Sequence, residues 1–171
     1  MERSKEITNA LEIDTRLGPR SIDADKIVHF PRGLAGFEDE HDFVLLPIRP
    51  EAPLLILQSV HTSGVGLLVA DPFSFLKDYS LVINDAEEKL LDLRGMEEAA
   101  ILVTVSIPVG EPENAVLHLT GPIVINHRAR LGLQIPQNSD GPGQVNMHSL
   151  KPVNRLQSEP EKQTEENAPS A

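Results

Sequence analysis

The segment Glu38-Asp39-Glu40-His41-Asp42 sets four carboxylates around one imidazole. Carboxylates at that density can hold calcium, work in pairs as general acid and base, or present a charged docking surface. A calcium loop needs oxygen ligands at alternate positions, a Gly at the sharp turn and a bidentate Glu further on. That pattern is absent. Paired catalytic carboxylates stay open on spacing alone, because residues distant in sequence can converge. The local readings are a solvated turn or an electrostatic docking patch, and Glu38, Asp39, Glu40 and Asp42 are the candidate partner-binding residues. A second acidic group comprises Glu87, Glu88, Asp92, Glu97 and Glu98. Glu87 and Glu88 there have a local reason to be acidic, the positive end of a helix dipole.

Other chemistries find no constellation. Ser59 sits in Leu57-Gln58-Ser59-Val60, a strand pattern and not the G-x-S-x-G elbow of a hydrolase. No P-loop occurs, and Gly64-Val65-Gly66 lacks the spacing that cradles a dinucleotide, so it reads as a hairpin turn. Histidines stand at positions 29, 41, 61, 118, 127 and 148, with no two spaced as zinc ligands on a helix. His29 and His118 lie in strand patterns, where a half-buried or solvent-facing imidazole is the ordinary outcome. Cysteine is absent, which removes disulfides, thiolate metal sites and Cys nucleophiles together. Neither catalytic residues nor a metal or cofactor site are expected.

The elements that position these residues are mostly strands. Apolar residues recur at every second position, the period of a strand with one buried face. Leu11, Ile13 and Leu17 alternate with Glu12, Asp14 and Arg16; Ile27–Phe30 stops at Pro31, and Phe43–Leu46 at Pro47. Leu54–Val60 and Gly66–Ala70 are continuously apolar and predict central strands covered on both faces. Tyr79–Ile83, Ile101–Ile107, Val116–Thr120, Ile123–Ile125 and Leu131–Ile135 complete the set, with Gly121-Pro122 as a separating turn. One stretch breaks the pattern. Asn84–Gly95 carries a capping residue, early Glu, Leu at helical spacing and a terminal Gly, predicting a short α-helix near 85–94 with Asp85 as N-cap and Glu88 completing a capping box. Short strands, Pro/Gly turns and a single helix predict an all-β, mainly antiparallel barrel-like or sandwich fold.

Composition bounds the rest. The 171 residues suffice for one ordinary domain, with 40% apolar residues and only 4% aromatic ones, so the core must come from Leu, Ile and Val. Residues 1–10 read as a polar lead-in, 11–135 as the β domain, and 136–171 as a flexible Pro-rich tail too poor in apolar residues to offset its ordering entropy. No apolar run nears the ~20 residues of a membrane span, and the N-terminus lacks the apolar region of a secretory signal. A cytoplasmic location is expected. The net charge is -11, from 26 acidic and 15 basic residues. The tail is close to balanced, so the acidity belongs to the body. Scattered Lys and Arg argue against direct nucleic-acid binding, whereas an acidic surface suits a basic protein partner.

The most distinctive string, Phe30-Pro31-Arg32-Gly33-Leu34-Ala35-Gly36-Phe37-Glu38, resembles the F-P-x-G-x-x-G-F-E motif of the FliW family of flagellar assembly factors. More of that pattern follows in order: Phe43-Val44-Leu45-Leu46-Pro47, Leu57-Gln58-Ser59-Val60, Val69-Ala70-Asp71-Pro72-Phe73, Thr104-Val105-Ser106-Ile107-Pro108, and the run Ala115–Asn126. Together the motifs cover about Leu11 to Ile135. The resemblance implies a regulator without catalysis, one that binds flagellin and antagonises the translational repressor CsrA, relieving repression of flagellin translation. CsrA is a basic RNA-binding dimer, which an acidic partner complements. Glu38, Asp39, Glu40 and Asp42 are the expected CsrA patch, since that turn shows no local reason to be acidic. Leu54-Leu55-Ile56-Leu57 departs from the family, whose members often carry aromatics in that strand. The alternative function is a small-molecule-binding or hydrolytic β-barrel.

Overall fold

The computed structural model describes residues 9–49, 53–138, 141 and 143–147. The fold is mostly β, as its periodicity predicts. Its strands are β1 (Ala10–Thr15), β2 (Gly18–Asp23), β3 (Val28–His29), β4 (Asp42–Pro47), β5 (Leu54–Ser59), β6 (Gly66–Ala70), β7 (Ala99–Ser106), β8 (Val116–Asn126), β9 (Leu131–Gln134) and β10 (Gln144–Asn146). The main sheet runs β10-β8-β7-β6-β5-β4-β3-β9, and β8 also pairs with β9. That extra pairing closes the sheet into a barrel, with β10 left outside the ring. Neighbours are antiparallel except β3 and β9, which meet in parallel at His29 and Leu131. Closure removes the unpaired edges that would otherwise template aggregation.

The continuous apolar runs read as they should. Val69 points into the barrel with Phe30, Phe43, Leu57, Leu102 and Ile123, while Ala70 packs outward with Phe75, Val103 and Leu117. A separate hairpin, β1–β2, lays Ile13 and Ile22 on Val44 outside the barrel. Leu91, at the end of the helix, buries itself against Val124, Leu133 and Ile135.

Four expectations need correction. Tyr79–Ile83 alternates in burial but joins no strand; it is a strap leading to the helix. The helix, α1, is Asp85–Leu90, and its N-cap is Asn84, one residue earlier than expected. Asn84 Oδ1 accepts from Glu87 N at 2.8 Å and Glu87 Oε1 accepts from Asn84 N at 2.9 Å, so Glu87 and not Glu88 closes the capping box. The positions Val116–Thr120 and Ile123–Ile125 form one strand, because Gly121 and Pro122 bend β8 without ending it: the first half pairs with β10 and the second with β9. Finally, β10 lies in the segment read as tail. Val145 and Met147 pack beside Leu117 and Leu119, apolar contacts their polar surroundings in sequence hide. Residues 1–8 and 148–171, parts of the expected lead-in and tail, lie outside the described residues.

Candidate functional site

The acidic turn is built by the loop before it. Phe30 donates its N–H to His41 O at 2.6 Å, and Gly33 N returns to Phe30 O at 2.9 Å. Leu34 and Phe37 then form a small antiparallel bridge. Gly33 adopts φ +65°, and a Cβ there would lie 2.7 Å from the carbonyl oxygens of Phe37 and Glu38. Only Gly fits. Phe30 is fully buried and meets Phe43 edge to face, with ring centroids 5.4 Å apart. The loop is therefore an anchored reversal that delivers residues 38–42 to one end of the barrel.

Each carboxylate there has a different occupation. Glu38 Oε2 accepts from Gly36 N at 3.0 Å. Asp39 is exposed and, among the described residues, has no hydrogen-bond or ion-pair partner. Glu40 accepts from Ser59 Oγ at 2.6 Å and from Thr62 Oγ1 at 2.7 Å, joining the turn to the β5–β6 loop. Asp42 sits between two imidazoles, 3.0 Å from His29 Nδ1 and 3.1 Å from His61 Nε2. The hydroxyl bonds, Ser59 foremost, hold the Glu40 carboxyl below the usual carboxylate range; the His29 hydrogen bond does the same for Asp42. The premise that this turn lacks a local reason for acidity is thus wrong for Glu40 and Asp42. Their partners come from β3, the end of β5 and the β5–β6 loop, too distant in sequence to be read locally.

The second acidic group is likewise divided. Arg128 Nε donates to Glu98 Oε2 at 2.8 Å, and Arg128 also reaches Asp92 Oδ2 at 3.2 Å. The Arg128 hydrogen bond is the main cause holding Glu98 below its ordinary value. Glu87 is engaged in the helix cap, which leaves Glu88 and Glu97 exposed.

Two buried polar side chains escaped sequence reasoning. Gln58 is fully buried; its Oε1 accepts from Arg16 N at 3.0 Å, and its Nε2 faces the carbonyl oxygens of Ser59, Ser63 and Val65 at 3.0–3.1 Å. It organises the β5–β6 loop that holds Glu40. Asn126, also fully buried, donates to Leu91 O at 2.8 Å and accepts from Arg128 N at 3.0 Å, tying the helix to the β8–β9 turn. The one available signal was a polar residue within an apolar strand whose outer face is covered, which demands internal partners.

Ser106 Oγ and His118 Nε2 hydrogen-bond across β7 and β8, and among the described residues no carboxylate orients the imidazole. Among the described residues no group of three His, Asp or Glu side chains is arranged to hold a metal, and no helix is long and apolar enough to cross a membrane. What the surface offers is fixed, mostly negative charge.

Comparison with known proteins agrees along nearly the whole body. Residues 12–147 match the family profile described as FliW protein. A flagellar assembly factor FliW of Desulfovibrio desulfuricans is 64% identical over 155 residues, covering 90% of this chain and 91% of that protein. Its counterpart in Nitratidesulfovibrio vulgaris is 57% identical over 141 residues, 82% of each chain. A crystal structure of the flagellar assembly factor FliW superposes with a TM-score of 0.74 at 32% identity, covering 80% of this chain and 96% of that one.

Proposed function

The chain belongs to the FliW family of flagellar assembly factors, and on that premise we propose that it acts in the cytoplasm as a non-catalytic binding protein for flagellin and CsrA. In this reading free chain captures CsrA when flagellin is scarce, which relieves repression of flagellin translation. Flagellin, when abundant, occupies the chain and releases CsrA.

The family match over residues 12–147 carries the reading. The net charge of -11 supports it physically, because a strongly acidic protein attracts a basic RNA-binding partner and repels RNA itself. Within the turn, Glu38 and Asp39 are the carboxylates that best serve encounter. Glu40 and Asp42 contribute charge while also holding the loops together. Encounter charges act mainly on the association rate.

The test is recovery from native cytosol with this chain as bait, read for flagellin and CsrA together. Recovery of both, with flagellin displacing CsrA, is expected. Recovery of neither overturns the proposal.

A further inference from the structure

On the flank of the barrel, a side chain stands where a strand would. Burial alternates along the strap: Tyr79, Leu81 and Ile83 are half-buried, while Ser80, Val82 and Asn84 are exposed. Gln137 Oε1 accepts from Val82 N at 2.8 Å, and Gln137 Nε2 donates to Val82 O at 3.0 Å. One amide thus makes both bonds that a residue of a neighbouring antiparallel strand would make. In an extended chain the N–H and C=O of Ser80 point to the same side, and they bond to no described residue. Among the described residues that side therefore offers an unpaired donor and acceptor. A cavity lies to either side of the amide. The first, of about 340 Å³, is walled by Leu76, Tyr79, Leu119 and Val145, with Lys77 and Asp78 also in its lining. The second, of about 330 Å³, is walled by Asn84, Glu87, Ile135 and Asn138.

We propose that this edge receives an extended segment of a basic partner, which adds as a strand along Ser80 and Val82 in place of the Gln137 amide. The proposal rests on the reading above that the chain binds a basic regulator. Strand addition draws affinity from main-chain bonds and specificity from side-chain pockets. An apolar side chain enters the first cavity. A Lys or Arg enters the second, which Glu87 lines and whose neighbouring helical turn also carries Asp85 and Glu88. Displacement needs only a side-chain rotation, since Gln137 is anchored through its own N–H to Thr120 O at 2.7 Å. Its Nε2 already stands 3.4 Å from the carbonyl oxygens of Ile135 and Pro136, which receive it once released.

The test uses purified CsrA as probe and flagellin as control. Val82→Pro deletes the central donor at a residue that is 74% exposed, so the fold should tolerate it. CsrA affinity should fall about tenfold, the worth of a lost hydrogen bond, with flagellin binding unchanged. Gln137→Ala, which leaves nothing to displace, should tighten CsrA binding. Parental affinity in both variants overturns the proposal. If Val82→Pro fails to fold, amide exchange at Ser80 and Val82 of the parent decides: slowing on CsrA addition supports strand addition, and no change overturns it. If CsrA does not bind the parent, the functional reading fails by itself, and the edge is probed with a displayed library of short random peptides. Enrichment of peptides pairing an apolar with a basic residue, bound by the parent and not by Val82→Pro, supports the site. No such enrichment overturns it.

Discussion

The outer end of the Phe30 ring occupies the space a side chain at Gly132 would need: a Cβ there would lie 2.4 Å from Phe30 Cζ. The family motif thus meets β9 through its first residue. Phe30 is fully buried and cannot swing into solvent. Gly132→Ala should therefore overpack the barrel and cost about 1–3 kcal/mol, read as a lowered denaturation midpoint. An unchanged midpoint would mean that β3 and β9 slide apart without penalty.

Gly33→Val should destabilise more than Gly36→Val, although both glycines have positive φ. At Gly33 the new side chain also meets two carbonyl oxygens at 2.7 Å, whereas nothing lies within 4 Å at Gly36. Backbone strain alone is worth about 1–3 kcal/mol, and the clash adds to it at Gly33 only. Melting curves check the order. A Gly33→Val protein that melts like the parent yet loses a partner would make the loop a binding element.

Removing residues after Gln137 should lower stability. The expectation of a dispensable tail yields to β10, which pairs Gln144, Val145 and Asn146 with β8 and sets Val145 and Met147 on the outer core. Losing two half-buried apolar side chains should cost about 1–3 kcal/mol in a urea titration. No change would assign β10 no stabilising role.

How far residues could be read depended on whether their partners were near in sequence. Alternation exposed β1 and β7, and continuous apolar runs marked β5 and β6 as covered on both faces. β2 was missed because Gly18-Pro19-Arg20-Ser21-Ile22-Asp23 buries only Ile22. Tyr79–Ile83 has the strand period, yet the neighbour it meets is the Gln137 side chain. Asp85 makes a plausible cap in isolation; Asn84 wins because its amide and Glu87 satisfy each other. The roles of Glu40 and Asp42 depend on Ser59, Thr62, His29 and His61, which only the barrel brings close. Whether Glu38, Asp39, Glu40 and Asp42 touch a partner is a matter of surface, which periodicity does not report.

Acid should loosen the acidic turn. Glu40 and Asp42 both have folded pKa values below the ordinary carboxylate value. Their bonds stabilise the fold above the unfolded pKa of about 4 and are lost as pH falls through the lower folded values. Urea midpoints measured downward from about pH 5 should therefore decline, and Glu40→Gln should flatten part of that decline. Both groups are partly exposed, so the effect is modest. An identical acid limb in Glu40→Gln would remove Glu40 from the account.

The central claim is that an acidic chain captures a basic regulator by steered association. Its most direct test is the association rate of CsrA across a salt series, for the parent and for Glu38→Lys with Asp39→Lys. This pair spares the bonds of Glu40 and Asp42. The parental rate should fall steeply as the screening length shrinks from about 10 Å at 0.1 M to about 3 Å at 1 M salt. The double variant should start lower and depend less on salt, with a melting curve shifted only by the loss of the exposed Glu38–Gly36 N bond and little effect on flagellin. A flat salt profile in the parent, or a variant that associates as fast, would contradict the claim.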